Sequence, residues 1–182
     1  MTRKTDYIMK TLIVISWIIF VGLCVQAGGF IFNAFFTLLL EPAGASKYWI
    51  EVDLSSVYNY NQTYFVILIS LMIIATVMKA IVFYFIIKLF NDKTLNLSMP
   101  FNETVKQFIS TVAYLALGIG LFSFWGAKFT EQLVTQGLQM PDVAHLSLSG
   151  ADVWIFMSVI LFVIAQIFKK GIEIQNENEL TV

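Results

Sequence analysis

The sequence has few charged residues. Asp, Glu, Lys and Arg make up 13% of the 182 residues, whereas hydrophobic residues make up 58%. Soluble domains average about 25% charged residues, so this chain has roughly half the charge that a water-facing surface requires. The deficit excludes a soluble enzyme, a disordered tail and a basic nucleic-acid-binding domain. It indicates an integral membrane protein whose first partner is the lipid bilayer, with no direct nucleic-acid contact.

Residues that build metal and redox sites are almost absent. The chain has one cysteine, Cys24, and one histidine, His145, which exclude an intramolecular disulfide and a His-cluster metal site. It has no Gly-rich phosphate loop and no nucleophile–base motif, and no carboxylate lies within the predicted membrane core. We therefore predict no catalytic residues, no cofactor and no metal, and we expect a protein that is not an enzyme. The missing carboxylates also argue against most cation-coupled transport.

Four segments are long and apolar enough to cross a bilayer, for which a helix needs about 20 residues. They predict an all-α fold, a bundle of four transmembrane helices in a single domain, 1–182. The predicted helices cover about residues 11–40, 64–90, 108–125 and 151–168, and a cytoplasmic tail follows at 171–182.

The first segment is longer than the bilayer requires. Thirty residues at about 1.5 Å each span roughly 45 Å, against a hydrocarbon core of about 30 Å. The helix therefore either protrudes as one continuous rod, which we favour, or breaks at Gly28-Gly29. On its outer half, Gln26, Asn33 and Thr37 recur on one helix face, a pattern that favours a helix-packing face over a pore lining.

The cations are distributed asymmetrically. Of the 11 Lys and Arg residues, eight lie near the termini and in the connection between the second and third segments. Lys47 and Lys128 lie on the opposite side, and Lys79 lies within the second segment. Because cytoplasmic loops carry an excess of Lys and Arg, we predict that both termini are cytoplasmic.

The two outer connections carry weak strand signals. Ile50, Val52 and Leu54 alternate with polar residues, which is typical of a half-buried strand, and residues 145–148 carry a weaker alternation. These patterns predict a short β-pair between the outer loops. The alternative is an aromatic-rich interfacial loop, because Trp and Tyr collect at membrane boundaries.

Lys79 is the charged side chain that lies inside the predicted membrane core, and such residues are functional candidates. If the second segment leaves the hydrocarbon core near Phe83, Lys79 lies about 6 Å inside, and its side chain can snorkel to cytoplasmic water. Alternatively it belongs to a polar layer that is either an inner binding site or a set of interhelical hydrogen bonds. The residues of this candidate polar layer are Ser16, Lys79, Ser110 or Thr111, and Gln166.

Several short stretches resemble the bacterial membrane family called domain of unknown function 2975. They are residues 150–156, 165–171 and 177–182, the Pro100-Phe101 step, and parts of 22–29. The resemblance covers the whole chain in layout, and its specificity lies in about the last 35 residues. It implies a four-helix protein of the bacterial inner membrane without an assigned activity, whose family carries no catalytic residues to transfer.

Two functions are compatible with these observations. The resemblance implies that a helix-turn-helix transcription regulator is encoded beside the protein and is its cytosolic partner. We therefore expect a non-enzymatic regulatory or sensory membrane protein. The alternative is a small transporter or channel component that uses the inner polar layer around Lys79. The oligomeric state stays open. The candidate partner-docking residues in the tail are Glu177, Glu179, Leu180 and Val182.

Overall fold

The computed structural model describes residues 3–50, 52–91 and 101–179. Within these residues the fold is all-α, and four helices are long and apolar enough to cross a membrane. The elements are α1 (Arg3–Leu39), a 3-10 helix (Pro42–Lys47), α2 (Ser55–Tyr60), α3 (Gln62–Asn91), α4 (Glu103–Thr135) and α5 (Ala151–Glu179). The prediction of an all-α fold with four helices able to span a membrane is confirmed.

Helix α1 runs without a break through Gly28 and Gly29. Glycine is needed at position 29 because a Cβ atom there would overlap the indole ring of Trp49, whereas one at position 28 would meet nothing. The helix ends three residues before Pro42, which cannot continue an α-helix interior. The glycine pair therefore admits a close neighbour instead of forming a hinge.

The long helices pack antiparallel, each on the next long helix along the chain: α1 on α3, α3 on α4, and α4 on α5. The ring pairs that fix the register are Phe20–Tyr84, Tyr64–Phe129 and Tyr114–Phe162, with centroids 6.3, 5.7 and 4.9 Å apart. We call the end at which α1 begins and α5 ends the terminal end, and the opposite end the loop end.

Three lysines mark one level at the terminal end. Lys88 of α3 lies beside Thr104 and Gln107 in the first turns of α4, which also carry Lys106. The contact of Phe101 with Phe168 brings Lys169 of α5 to that level. From Lys169 back to Ala151, α5 spans about 27 Å, close to the hydrocarbon thickness of about 30 Å. We therefore place one membrane boundary at this lysine level and the other at the start of α5.

The connections at the loop end form a small cap, made of residues 40–50, 52–61 and 136–150. Its core also takes side chains from the ends of α3 and α4, so these helices continue past the start of α5. The fully buried side chains of the cap core include Tyr48, Val57, Leu54, Phe65, Leu133, Leu146 and Leu148. The cap packs on α1 through Tyr48, whose hydroxyl donates a hydrogen bond of 2.7 Å to the carbonyl of Phe30.

The predicted β-pair between the two outer connections is wrong, because the described residues contain no strand. Trp49 and Val52 form a single antiparallel bridge within the first connection. Residues 145–148 make local turns instead, in which the N–H of Leu148 donates to the carbonyl of Val143. Leu146 and Leu148 are both fully buried, so apolar burial accounts for their spacing without a strand.

Two helices are longer than the apolar runs predict. Helix α4 continues from Trp125 to Thr135 because the cap buries Leu133 and Thr130 on one of its faces. Helix α5 continues from Phe168 to Glu179, so Lys169 and Lys170 do not end it, and residues 171–179 of the predicted tail are helical.

Candidate functional site at Lys79

The Lys79 side chain points towards the loop end. Its ammonium donates a hydrogen bond of 2.7 Å to the carbonyl of Ser147 in the α4–α5 loop. Helical side chains lean towards the N-terminus of their helix, and α3 begins at the loop end. The predicted snorkelling towards the terminal end is therefore wrong, and the side-chain direction rule is the signal that could have revealed it.

Lys79 lies deep in the span. It is nine residues, or about 13.5 Å, from Lys88 at the membrane boundary, and half the hydrocarbon core is about 15 Å. The side chain is half-buried, and a charged group at this depth carries a penalty unless it finds a partner. The Ser147 carbonyl supplies that partner, so the α4–α5 loop enters the membrane-spanning part of the molecule.

Ser147 also contacts α1. The Gln26 side-chain amide donates a hydrogen bond of 2.8 Å to the Ser147 hydroxyl. Ser147 has φ 60°, a left-handed conformation that costs about 1–2 kcal/mol for a residue with a side chain. This strain is offset by two polar contacts, one to α1 and one to α3. We call Gln26, Lys79 and Ser147 the Lys79 site.

The loop is seated on α4 by apolar contacts. A Cβ atom at Gly126 would lie 2.6 Å from a methyl carbon of Leu148, so the glycine lets the leucine side chain approach the α4 backbone. Leu148 and Leu146 are fully buried beside the Lys79 site. The site is therefore covered at the loop end by packed side chains.

The structure does not bring Lys79 into the predicted polar layer. Ser16 precedes Trp17, which lies beside Ile87 and Lys88. Ser16 itself is buried and donates to the carbonyl of Leu12 in its own helix. The other members of that layer also lie near the level of Lys88, and Lys79 is nine residues away from it along α3.

The remaining layer residues lie apart from one another. Thr111 lines a cavity between α3 and α4 together with Lys88, and its neighbour Ser110 is half-buried. Gln166 is exposed on α5. Their positions match the boundary region at the terminal end more closely than a site in the middle of the span.

The outer polar stripe of α1 faces the cap and its own helix. Gln26 belongs to the Lys79 site, and Asn33 donates a hydrogen bond of 3.0 Å to the Gly29 carbonyl. Thr37 is buried against Gly44, where a Cβ atom would lie 2.7 Å from the threonine hydroxyl. These contacts fit the packing interpretation of the stripe.

The candidate docking residues of the tail are only partly described. Glu177 lies on the α5 extension (171–179), which continues about 14 Å beyond Lys170. Glu179 is the last described residue of α5, and Leu180 and Val182 lie outside the described residues. At the base of the extension, Gly171 faces the Phe101 ring, which would lie 2.6 Å from an added Cβ atom.

Two further observations concern the chemistry of the described residues. Residues 3–50, 52–91 and 101–179 hold no group of three or more His, Cys, Asp or Glu side chains placed to bind a metal ion. In the cap, burial raises the pKa of the Tyr48 phenol, which keeps this hydrogen-bond donor neutral.

Comparison with known proteins identifies the family and nothing beyond it. The family model described as "Protein of unknown function (DUF2975)" matches residues 49–182. The match includes the stretches of α5 and the Pro100-Phe101 step that carry the resemblance, but it begins after residues 22–29. No curated protein and no solved structure matches the chain. Since the match covers almost three quarters of the sequence, the chain belongs to the DUF2975 family of proteins of unknown function.

Proposed function

We propose that this protein is a non-enzymatic regulatory or sensory membrane protein of the bacterial inner membrane, with both termini in the cytoplasm. In this proposal the cap receives a signal and the α5 extension presents it to a cytosolic protein. The observation that carries the proposal is the 2.7 Å hydrogen bond from Lys79 to the Ser147 carbonyl. It joins the loop that leads into α5 to the middle of α3.

The connectivity supports such a relay. Residue 147 precedes the first residue of α5 by four positions, and α5 then continues as one helix to Glu179. A change in the cap that weakens the Lys79 contact would therefore act at one end of a rigid rod. The other end of that rod is the proposed docking segment. Helix shifts of about 1–2 Å are a common way in which such signals travel.

The cytosolic partner proposed here is a helix-turn-helix transcription regulator, bound at residues 171–182 and the connection between α3 and α4. The test is recovery of partners from native membranes in mild detergent, with the bound proteins identified by mass spectrometry. Deletion of residues 171–182 is expected to abolish recovery of the regulator while membrane insertion stays normal. Equal recovery with the deletion variant would refute docking at the tail.

The relay is tested separately with Lys79→Met, which removes the ammonium and keeps an unbranched apolar side chain. We expect this variant to change regulator recovery by altering the position of α5. The matched control is Lys128→Met, because Lys128 is exposed and forms its ion pair with Glu131 at 2.7 Å on the same helix. If Lys128→Met changes the recovery of the regulator as strongly as Lys79→Met does, a specific role for Lys79 is contradicted.

A second candidate function, a small transporter or channel component, rests on the same depth of Lys79. An ammonium near the middle of a span is typical of substrate and ion pathways. This candidate requires water at the Lys79 site, so a cysteine introduced at position 79 should react with a water-soluble thiol reagent in intact membranes. The regulatory proposal expects no reaction there, because Leu146 and Leu148 cover the site.

A further inference from the structure

Lys88 has no anionic partner among the described residues, although it lies at the membrane boundary. No residue in 3–50, 52–91 or 101–179 forms an ion pair or a hydrogen bond with its ammonium. The neighbouring Lys106 differs, since its ammonium lies 2.8 Å from the Glu103 carboxylate. Unlike Lys106, Lys88 is therefore a boundary cation that is available to a negative group from outside the chain.

A cavity of about 210 Å³ lies beside Lys88 between α3 and α4. Its polar lining residues are Lys88, Thr104, Gln107 and Thr111, and its apolar lining residues are Phe85, Leu89 and Phe108. The described residues that line it include no carboxylate. An ammonium with nearby hydroxyl and amide groups suits phosphate oxygens, which accept charge-assisted hydrogen bonds.

A groove between α1 and α3 continues from Lys88 into the hydrocarbon region. Trp17, Phe20 and Tyr84 line its first part together with Lys88. Small residues, among them Cys24 and Gly28, line its second part and keep it open as far as Ile31. The distance along α1 from Trp17 to Ile31 is about 21 Å, which exceeds the depth of one leaflet's hydrocarbon, about 15 Å.

We propose that Lys88 and these two depressions form a binding site for an anionic phospholipid. The phosphate contacts the Lys88 ammonium and the polar side chains of the α3–α4 cavity, and one acyl chain lies along the α1–α3 groove. Trp17 is at the level of the headgroup, where tryptophan is enriched. Free inorganic phosphate would occupy only the cavity and leave the adjoining apolar groove empty, whereas a lipid fits both.

Brominated lipids test this site, because bromine quenches tryptophan fluorescence at short range. The full chain is reconstituted in phosphatidylcholine vesicles that contain either brominated phosphatidylglycerol or brominated phosphatidylcholine. The contribution of Trp17 is the difference between the natural chain and Trp17→Phe. One lysine near a membrane surface predicts that the anionic lipid is favoured about fivefold at Trp17.

Three variants separate the parts of the proposal. Lys88→Gln is expected to bring the preference for the anionic lipid close to one, while Lys106→Gln, at the same level but in an ion pair with Glu103, leaves it unchanged. Gly28→Leu fills the groove, since an added Cβ atom meets nothing there, and is expected to lower the preference as well. Exchange of chloride for inorganic phosphate at equal ionic strength should have no effect.

Four results would overturn the proposal. Equal affinity of the natural chain for both lipids would show that there is no anionic-lipid site. An equal loss of the lipid preference in Lys88→Gln and Lys106→Gln would show that general surface charge, and not Lys88, causes the preference. An unchanged preference in Gly28→Leu would remove the acyl-chain groove. Loss of the preference in inorganic phosphate would assign the cavity to the free anion. None of these results depends on the tail or on Lys79.

Discussion

The contact between Trp49 and Gly29 gives the most direct test of how the cap packs on α1. A methyl group at position 29 would overlap the Trp49 ring, which also lies edge-on to Phe30 with centroids 5.7 Å apart. Position 28, one residue earlier on the same helix, has open space around the same added atom. The substitutions Gly29→Ala and Gly28→Ala therefore form a matched pair.

The expected magnitudes follow from two opposing effects. Alanine in place of glycine inside a helix stabilises by about 0.5–1 kcal/mol, and both variants gain this term. Only Gly29→Ala adds overpacking against Trp49, which costs about 1–3 kcal/mol. We therefore expect Gly29→Ala to be less stable than Gly28→Ala by about 1–3 kcal/mol, or at least about 2 °C in Tm for a chain of this size.

The assay is thermal unfolding of the purified full chain in one detergent, followed by circular dichroism. A third variant, Trp49→Ala, identifies the cause: combined with it, Gly29→Ala should lose its penalty relative to Gly28→Ala, because the colliding ring is gone. Equal stability of Gly29→Ala and Gly28→Ala would refute the close packing of the cap on α1.

Three further predictions concern the loop, the cap and the pairing of α4 with α5. Ser147→Gly should be about 1–2 kcal/mol more stable than Ser147→Ala, since both lose the hydroxyl but only alanine keeps the left-handed strain. Burial raises the pKa of Tyr48, so its contribution to stability is complete below the unfolded pKa of about 10 and is lost as the pH rises above it; Tyr48→Phe should reduce this alkaline loss. Gly120→Ala should destabilise by about 1–3 kcal/mol, because its Cβ atom would lie 3.0 Å from the backbone nitrogen of Ile155, with Gly22→Ala as the control in open space.

Thermal unfolding of the purified variants measures all three. The Ser147 pair is compared at neutral pH, and a more stable alanine variant would contradict the strained loop. The Tyr48 variant is compared with the natural chain from pH 8 to pH 11, where an identical alkaline loss in both would show that Tyr48 does not contribute. A Gly120→Ala variant as stable as Gly22→Ala would contradict the close approach of α4 and α5.

The four long helices were predictable, because an apolar run of about 20 residues that crosses a bilayer must satisfy its backbone hydrogen bonds within itself, as a helix does. The start of α4 follows from the local sequence, because Asn102 stands directly before Glu103 and its side chain accepts a hydrogen bond of 2.9 Å from the Val105 N–H. Both features are typical of a helix N-terminus. The C-terminal ends of α4 and α5 could not be predicted from the sequence. They depend on tertiary contacts, such as the burial of Leu133 in the cap and the packing of the Phe101 ring against Gly171.

The partner of Lys79 could not be predicted from its depth alone. The loop that supplies Ser147 reads as a short alternating segment, and its entry into the span depends on Gly126 and on buried Leu148, which are distant in sequence from Lys79. The direction of the lysine side chain was predictable, because it follows from the helix polarity. Tertiary packing therefore decides which group Lys79 meets, while local geometry decides which end it faces.

We propose that the contact between Lys79 and the α4–α5 loop controls the position of the α5 extension. Its most direct measurement is the distance between spin labels at Lys10 and Asn176, both exposed at the terminal end, by pulsed electron paramagnetic resonance in a Cys24→Ala background. Lys79→Met is expected to shift the distance distribution by about 2 Å, and Lys128→Met is expected to leave it in place. Superimposable distributions for Lys79→Met and the natural side chain would contradict the claim.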